Sequence, residues 1–146
     1  MSTDGLSEKH FEIDEMRMMK EYALKIIKLI QSKTLIPTTE ESASYENLTE
    51  KNKMLVSKVM NLRNQEPALF STEIDWNEFY KSYADNLFLK SAILTFECII
   101  KNLENARTVH DYTNYQLALK EIEHSASKKE TDSRQEIKYN ELKTFL

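Results

Sequence analysis

The feature that most constrains this chain is its shortage of glycine, since its 146 residues contain only one, Gly5. Tight hairpin turns draw on glycine because it reaches positive φ without a steric penalty. Rossmann folds and P-loops need glycine where the backbone approaches a phosphate. The chain also has only two prolines, Pro37 and Pro67. The sequence therefore predicts an all-α fold and excludes a glycine-rich nucleotide-binding loop.

Composition and charge narrow the class of protein further. The chain is 40% hydrophobic and 30% charged, which suits one folded domain with a high ratio of surface to core. A net charge of −4 argues against a nucleic-acid partner, because such partners are held by phosphate neutralisation. No apolar run is long enough to suggest a membrane span, and residues 1–10 lack the pattern of a signal peptide.

The single cysteine indicates the cellular compartment of the protein. Cys98 cannot form an internal disulfide and lies in the most apolar part of the sequence, so we predict a small buried hydrophobe in a reducing compartment. The expected location is intracellular, either cytoplasmic or nuclear.

Periodicity and capping signals divide the chain into helices. Ser7 is the predicted cap of the first helix, and Pro37 and Pro67 are expected to end the first and second. Capping signals three residues apart predict helix starts at Thr38 with Glu41 (or a little later, at Ser42 or Ser44), at Asp75 with Glu78 and at Ser133 with Glu136. Thr108 or Asp111 is the predicted start of the fourth helix. We expect a flexible N-terminus at 1–7 and a single helical domain at 8–146, with 125–134 either a loop or a solvated helix. The predicted helices cover about 8–34, 40–64, 76–105, 111–126 and 134–145.

The segment from Leu87 to Leu103, here called the apolar segment, is hydrophobic nearly all round. On a helical wheel its charged residues and the flanking Asn86 fall within a stripe roughly 60° wide. A helix with so narrow a polar edge is normally surrounded by other helices. We therefore predict that it is the central helix of an elongated antiparallel bundle of four or five helices, with coiled-coil-like seams.

A heptad ladder with one polar position is the first candidate binding feature. Its apolar positions lie 3 and 4 residues apart, and Asn52 would occupy an a position, where an asparagine costs stability but fixes register and partner. The alternative is that Asn52 lies at the rim of the seam. The candidate partner-binding residues are Tyr45, Leu48, Asn52, Leu55, Val59, Leu62 and Trp76.

Signals for catalysis or metal binding are weak. Glu121 and His124 have the Glu-x-x-His spacing of di-iron bundles, but such a centre needs a second copy, and neither His10 nor His110 has a Glu three residues before it. No Gly-x-Ser-x-Gly motif accompanies the serines, and nothing marks Cys98 as a nucleophile. We therefore predict no catalytic residues, no metal and no cofactor.

The remaining class of function is binding to another protein or to a ligand. The preferred hypothesis is a non-enzymatic subunit or adaptor whose long amphipathic helices pack against a protein partner or a second copy of the chain. The rival is a self-contained helical-bundle regulator that binds a small apolar ligand or a partner helix in a groove beside the central helix. Light scattering on the purified chain separates the two hypotheses.

Overall fold

A computed structural model describes residues 9–34 and 37–146 of the chain. The predicted all-α class is confirmed, because these residues form five α-helices and no strand. Two short 3₁₀ turns follow α3 and α5, at Pro67–Leu69 and Lys143–Phe145. The helices are α1 (Ile13–Lys33), α2 (Thr39–Glu46), α3 (Glu50–Gln65), α4 (Trp76–Lys128) and α5 (Ser133–Leu142).

The chain divides into two structural units within α4. One unit is Glu12–Asp85, which contains α1, α2, α3 and the first turns of α4. The other contains Asn86–Leu146, which includes the rest of α4 and the whole of α5, together with residues 9–11. In the second unit the His10 and His110 rings stack with centroids 5.5 Å apart. A single helical domain over 8–146 stays a prediction.

The first helix begins later than the sequence pattern suggests. Residues 9–12 are not helical, and α1 begins at Ile13, where the Glu15 carboxylate accepts a hydrogen bond of 2.9 Å from the Glu12 backbone N–H. This contact satisfies a free N–H group at the helix start. The predicted cap at Ser7 lies outside the described residues. The helix ends at Lys33, close to the predicted end at residue 34.

The helix predicted at 40–64 is two helices in the structure. The predicted capping box of Thr38 and Glu41 is confirmed at the start of α2. However, α2 ends at Glu46, and a second capping box opens α3 at Thr49. A threonine hydroxyl that caps a new helix competes with continuation of the old one, which explains the interruption.

The break predicted between Asn105 and Asp111 is absent, because α4 runs without interruption from Trp76 to Lys128. The predicted start signal is confirmed, since the Asp75 carboxylate accepts a hydrogen bond of 3.0 Å from the Glu78 N–H. Thr108, which the sequence suggested as a cap, instead donates its hydroxyl to the Glu104 carbonyl at 2.9 Å. No glycine or proline lies in this stretch to end the helix.

The last helix follows a turn at 129–132. Its cap is Asp132 and not the predicted Ser133, since the Asp132 carboxylate accepts a hydrogen bond of 3.0 Å from the Arg134 N–H. The segment 125–134, left open by the sequence, therefore contains the last turn of α4, this turn and the start of α5.

Few side chains are buried in either unit. Among the described residues only Met60 in α3 and Ser125 in α4 are buried. No residue of α1, α2 or α5 is buried. The hydrophobic faces that the sequence predicts are present on the helices, but they are largely in contact with solvent.

Candidate functional site

The predicted partner-binding residues do not form one continuous ladder. Tyr45 lies in α2 and Leu48 in the connection that follows, and both are exposed. The other ladder residues lie on one face of α3, where Val59 is half-buried and the rest are exposed. Trp76 is separate from this face, at the start of α4. The four α3 residues of the ladder are Asn52, Leu55, Val59 and Leu62.

Asn52 has a local role that the heptad pattern did not reveal. Its side-chain Oδ1 accepts a hydrogen bond of 3.1 Å from the Thr49 backbone N–H, and its own N–H donates to the Thr49 hydroxyl at 3.1 Å. Asn52 therefore occupies the third position of a capping box. A role in selecting a partner is still a prediction, and it would use the side-chain NH₂ group or the second lone pair of Oδ1.

Variants at these two positions separate capping from partner selection. We expect Thr49→Ala to destabilise α3 by about 1 kcal/mol, and Asn52→Ala by a smaller amount, because each removes one bond of the box. Amide hydrogen exchange in the first turn of α3 measures the loss, with the exposed Asn61→Ala as control. If Asn52→Ala changes the mass of the assembly but not the exchange rates, the capping role is wrong.

An aromatic corner joins the end of α3 to the start of α4. The Trp76 ring meets Phe70 and Phe79 edge to face, with centroids 5.6 and 5.3 Å apart. Its indole N–H donates a hydrogen bond of 2.8 Å to the Ser71 carbonyl. These contacts hold the connection between α3 and α4 in one conformation. Trp76 is half-buried here and leaves only part of its surface for a partner.

Arg63 completes the aromatic corner from α3. Its guanidinium carbon lies 4.7 Å from the centre of the Trp76 ring and 5.9 Å from that of Tyr80. The Tyr80 hydroxyl also reaches the Asn64 side-chain oxygen at 3.3 Å. A cation over an aromatic face is stabilised by the ring quadrupole, by about 0.5–2 kcal/mol depending on exposure. Sequence reasoning missed Arg63, because no periodicity links it to the rings after Pro67.

The apolar segment is exposed, contrary to the prediction that it forms the centre of a core. Its large hydrophobic side chains have between 36% and 68% of their surface in contact with solvent. Cys98 is also exposed, so its prediction as a buried residue is wrong. These side chains are Leu87, Phe88, Leu89, Ile93, Leu94, Phe96, Ile99, Ile100 and Leu103.

The Glu121 carboxylate, considered above as a metal ligand, forms an ion pair with the Lys138 ammonium group of α5. The hydrogen bond and charge of Lys138 lower the pKa of Glu121 below its ordinary value. In the part of the chain that the structure describes, no three His, Cys, Asp or Glu side chains are grouped to hold a metal ion. Lys138, which sequence reasoning also missed, ties α5 to α4.

Acidification should weaken the contact between α5 and α4. The pKa of Glu121 is lowered from 4.5 by Lys138, and that of Asp132 from 3.8 by its hydrogen bonds with Arg134. Folded pKa values below the unfolded ones mean that the stabilisation is complete above about pH 4.5 and is lost as the pH falls through the lowered values. NMR shifts of Tyr139 between pH 7 and 3 report the weakening of this contact.

Glu121→Gln is expected to loosen α5 already at pH 7, and Glu123→Gln, an exposed neighbour on α4, serves as the matched control. An α5 that stays docked in Glu121→Gln at every pH would show that the ion pair does not hold it.

Comparison with known proteins adds no relative. The chain matches no protein-family model, no curated protein and no solved structure at a significant level. Within the described residues, no helix is both long and apolar enough to cross a membrane. The functional argument therefore depends on the helices themselves and on the surfaces they leave uncovered.

Proposed function

We propose that this protein is a non-enzymatic subunit or adaptor that buries its amphipathic helices against a partner chain. The observation that supports the proposal is the exposure of the apolar segment in α4. Full burial of one large aliphatic or aromatic side chain contributes about 1.5–3 kcal/mol. Nine such side chains, each near half exposed, leave on the order of 10 kcal/mol of burial free energy unrealised.

This quantity is comparable to the whole stability of a typical domain, which is about 5–15 kcal/mol. Soluble monomers rarely keep a contiguous apolar patch of such extent in water, and larger patches mark interaction sites. The charged residues on the polar edge of the segment keep it soluble before assembly. The proposed assembled form is the antiparallel helical bundle, with helices of the partner around the apolar segment.

The first helix offers a second surface of the same kind. In α1 the side chains of one stripe recur every three or four residues, and all of its large hydrophobic members are exposed. This pattern fits a helix with one partner face and one solvent face. The exposed large members of the stripe are Met16, Met19, Ile26 and Ile30.

The oligomeric state and the thermal melting of the purified chain test the proposal. We expect either an oligomer by analytical ultracentrifugation or a chain that melts without cooperativity until a stoichiometric helical partner is added. Far-UV circular dichroism follows the melting in both cases. A monomer that melts cooperatively on its own would contradict the proposal and favour the groove-binding regulator.

A further inference from the structure

A second heptad seam lies within the apolar segment, distinct from the ladder on α3. Five of its side chains are spaced 4, 3, 4 and 3 residues apart and line one face of α4. All five are exposed, between 36% for Phe96 and 56% for Ile93. They are Leu89, Ile93, Phe96, Ile100 and Leu103, here called the Leu89–Leu103 seam.

We propose that this seam is a self-association surface, on which α4 of a second copy packs antiparallel to the first. The inference rests on the proposed function and names its partner as another molecule of this chain. The two-fold axis would pass between Leu94 and Thr95. Leu89 then lies opposite Ile100 of the second copy, and Ile93 lies opposite its Phe96, so that the four central layers are apolar. Leu103, at each end of the seam, faces Asn86 of the second copy.

The charges beside the seam favour this partner. Lys90 and Glu97 directly follow Leu89 and Phe96, so both lie on the same flank. In the antiparallel pair, Lys90 faces Glu97 of the second copy, and the symmetry produces this ion pair twice. Within one chain these residues are seven positions apart, about 10 Å along the helix axis, and they do not meet. None of the ion pairs in the described part of the chain includes either residue.

The opposite flank distinguishes antiparallel from parallel pairing. It carries Ala92 and Ile99, which face each other across the antiparallel interface and extend its apolar area. A parallel pair would place Ala92 and Ile99 against Glu97 and Glu104 of the second copy, and it would bring the two Arg107 side chains together. Parallel pairing offers in return only one type of ion pair, between Asp85 and Lys90.

The size of the seam sets the expected strength. The five seam residues and Ile99 would bury roughly 360 Å² from each copy, taking about 60 Å² for each side chain that passes from half exposed to buried. The half-buried Ala92 adds a smaller area. Stable complexes usually bury about 800 Å² per partner. We therefore expect a dissociation constant in the micromolar range. The seam ends at residues 107 and 110, where Arg and His occupy its next two positions.

Charge reversal in the full-length chain tests the seam without altering its apolar residues. Sedimentation velocity over the micromolar range should show a reversible dimer. Lys90→Glu should weaken it about tenfold, because both ion pairs become repulsive. The double variant Lys90→Glu with Glu97→Lys should return the dissociation constant to within about threefold of the original, since it exchanges the two charges. Lys120→Glu makes the same charge change on α4 outside the seam and should have no effect.

Phe96→Asp places a charge in a central layer and should weaken the dimer at least a hundredfold, with circular dichroism confirming that the chain stays helical. A dimer unaffected by Phe96→Asp would overturn the seam. Failure of the double charge exchange to restore the dimer would overturn its antiparallel register.

A chain that remains monomeric at all concentrations would overturn self-association. If that monomer melts without cooperativity, the proposed interaction with another protein still stands. If it melts cooperatively, the proposed function fails as well.

Discussion

Trp76→Ala should open the corner between α3 and α4 and destabilise it by about 2–3 kcal/mol. Truncation of a fully buried tryptophan costs about 3–5 kcal/mol, and Trp76 is only half-buried. The variant removes both edge-to-face ring contacts and the hydrogen bond to the Ser71 carbonyl. It also leaves the Arg63 guanidinium without its nearest aromatic face. Amide hydrogen exchange across 60–80 should accelerate by a factor of about 30–160.

Two matched variants define the cause of this loss. Trp76→Phe keeps a ring in the corner but loses the indole N–H, so we expect a cost of about 1 kcal/mol. Tyr45→Ala removes an aromatic ring that is exposed on α2 and should leave the exchange rates at 60–80 unchanged. Equal effects of Trp76→Ala and Tyr45→Ala would mean that the corner contributes nothing specific to stability.

Asn105→Pro should break α4 at the point where the sequence suggested a turn. Proline in a helix interior removes one backbone hydrogen bond and clashes with the preceding turn, at a cost of about 3 kcal/mol. The structure has an uninterrupted helix at this point, so we expect a measurable fall in ellipticity at 222 nm. Asn105→Ala, which favours the helix, is the control and should leave the ellipticity unchanged or raise it slightly.

Spin labels at Cys98 and at Lys120→Cys measure directly whether α4 is continuous between these two positions. These positions are both exposed and lie 22 residues apart, which corresponds to about 33 Å in a continuous helix. Labelled chain should be diluted with unlabelled chain so that distances between copies do not contribute. A narrow distribution near this distance that broadens in Asn105→Pro is the expected result. A distribution already broad before the substitution would contradict continuity.

Local chemistry made some helix starts predictable from the sequence. The capping box of Thr38 and Glu41 and the cap at Asp75 are each set by residues three positions apart, so no tertiary information is needed. The same rule failed at Thr49 and Asn52, where a heptad interpretation of Asn52 concealed an equally short capping pattern. It also failed at Thr108, because a threonine can satisfy its hydroxyl inside a helix as well as at its start.

Burial could not be predicted in the same way. The apolar segment has the composition of a central helix. Composition indicates that its apolar surface has to be buried, but it does not indicate which chain buries it. The prediction assumed that other helices of this chain bury the segment, and the predicted burial of Cys98 is wrong. The contacts of Arg63 with Trp76, and of Lys138 with Glu121, depend on the geometry of the connections between helices, which no local pattern encodes.

The aromatic corner gives the chain a built-in optical probe. Trp76 is the only tryptophan, and it lies under a guanidinium group in the unit Glu12–Asp85. Its fluorescence therefore reports the opening of this unit alone, whereas ellipticity reports helix loss throughout the chain. A urea titration in which the emission maximum shifts before or after the ellipticity falls would reveal that the two units unfold in separate steps.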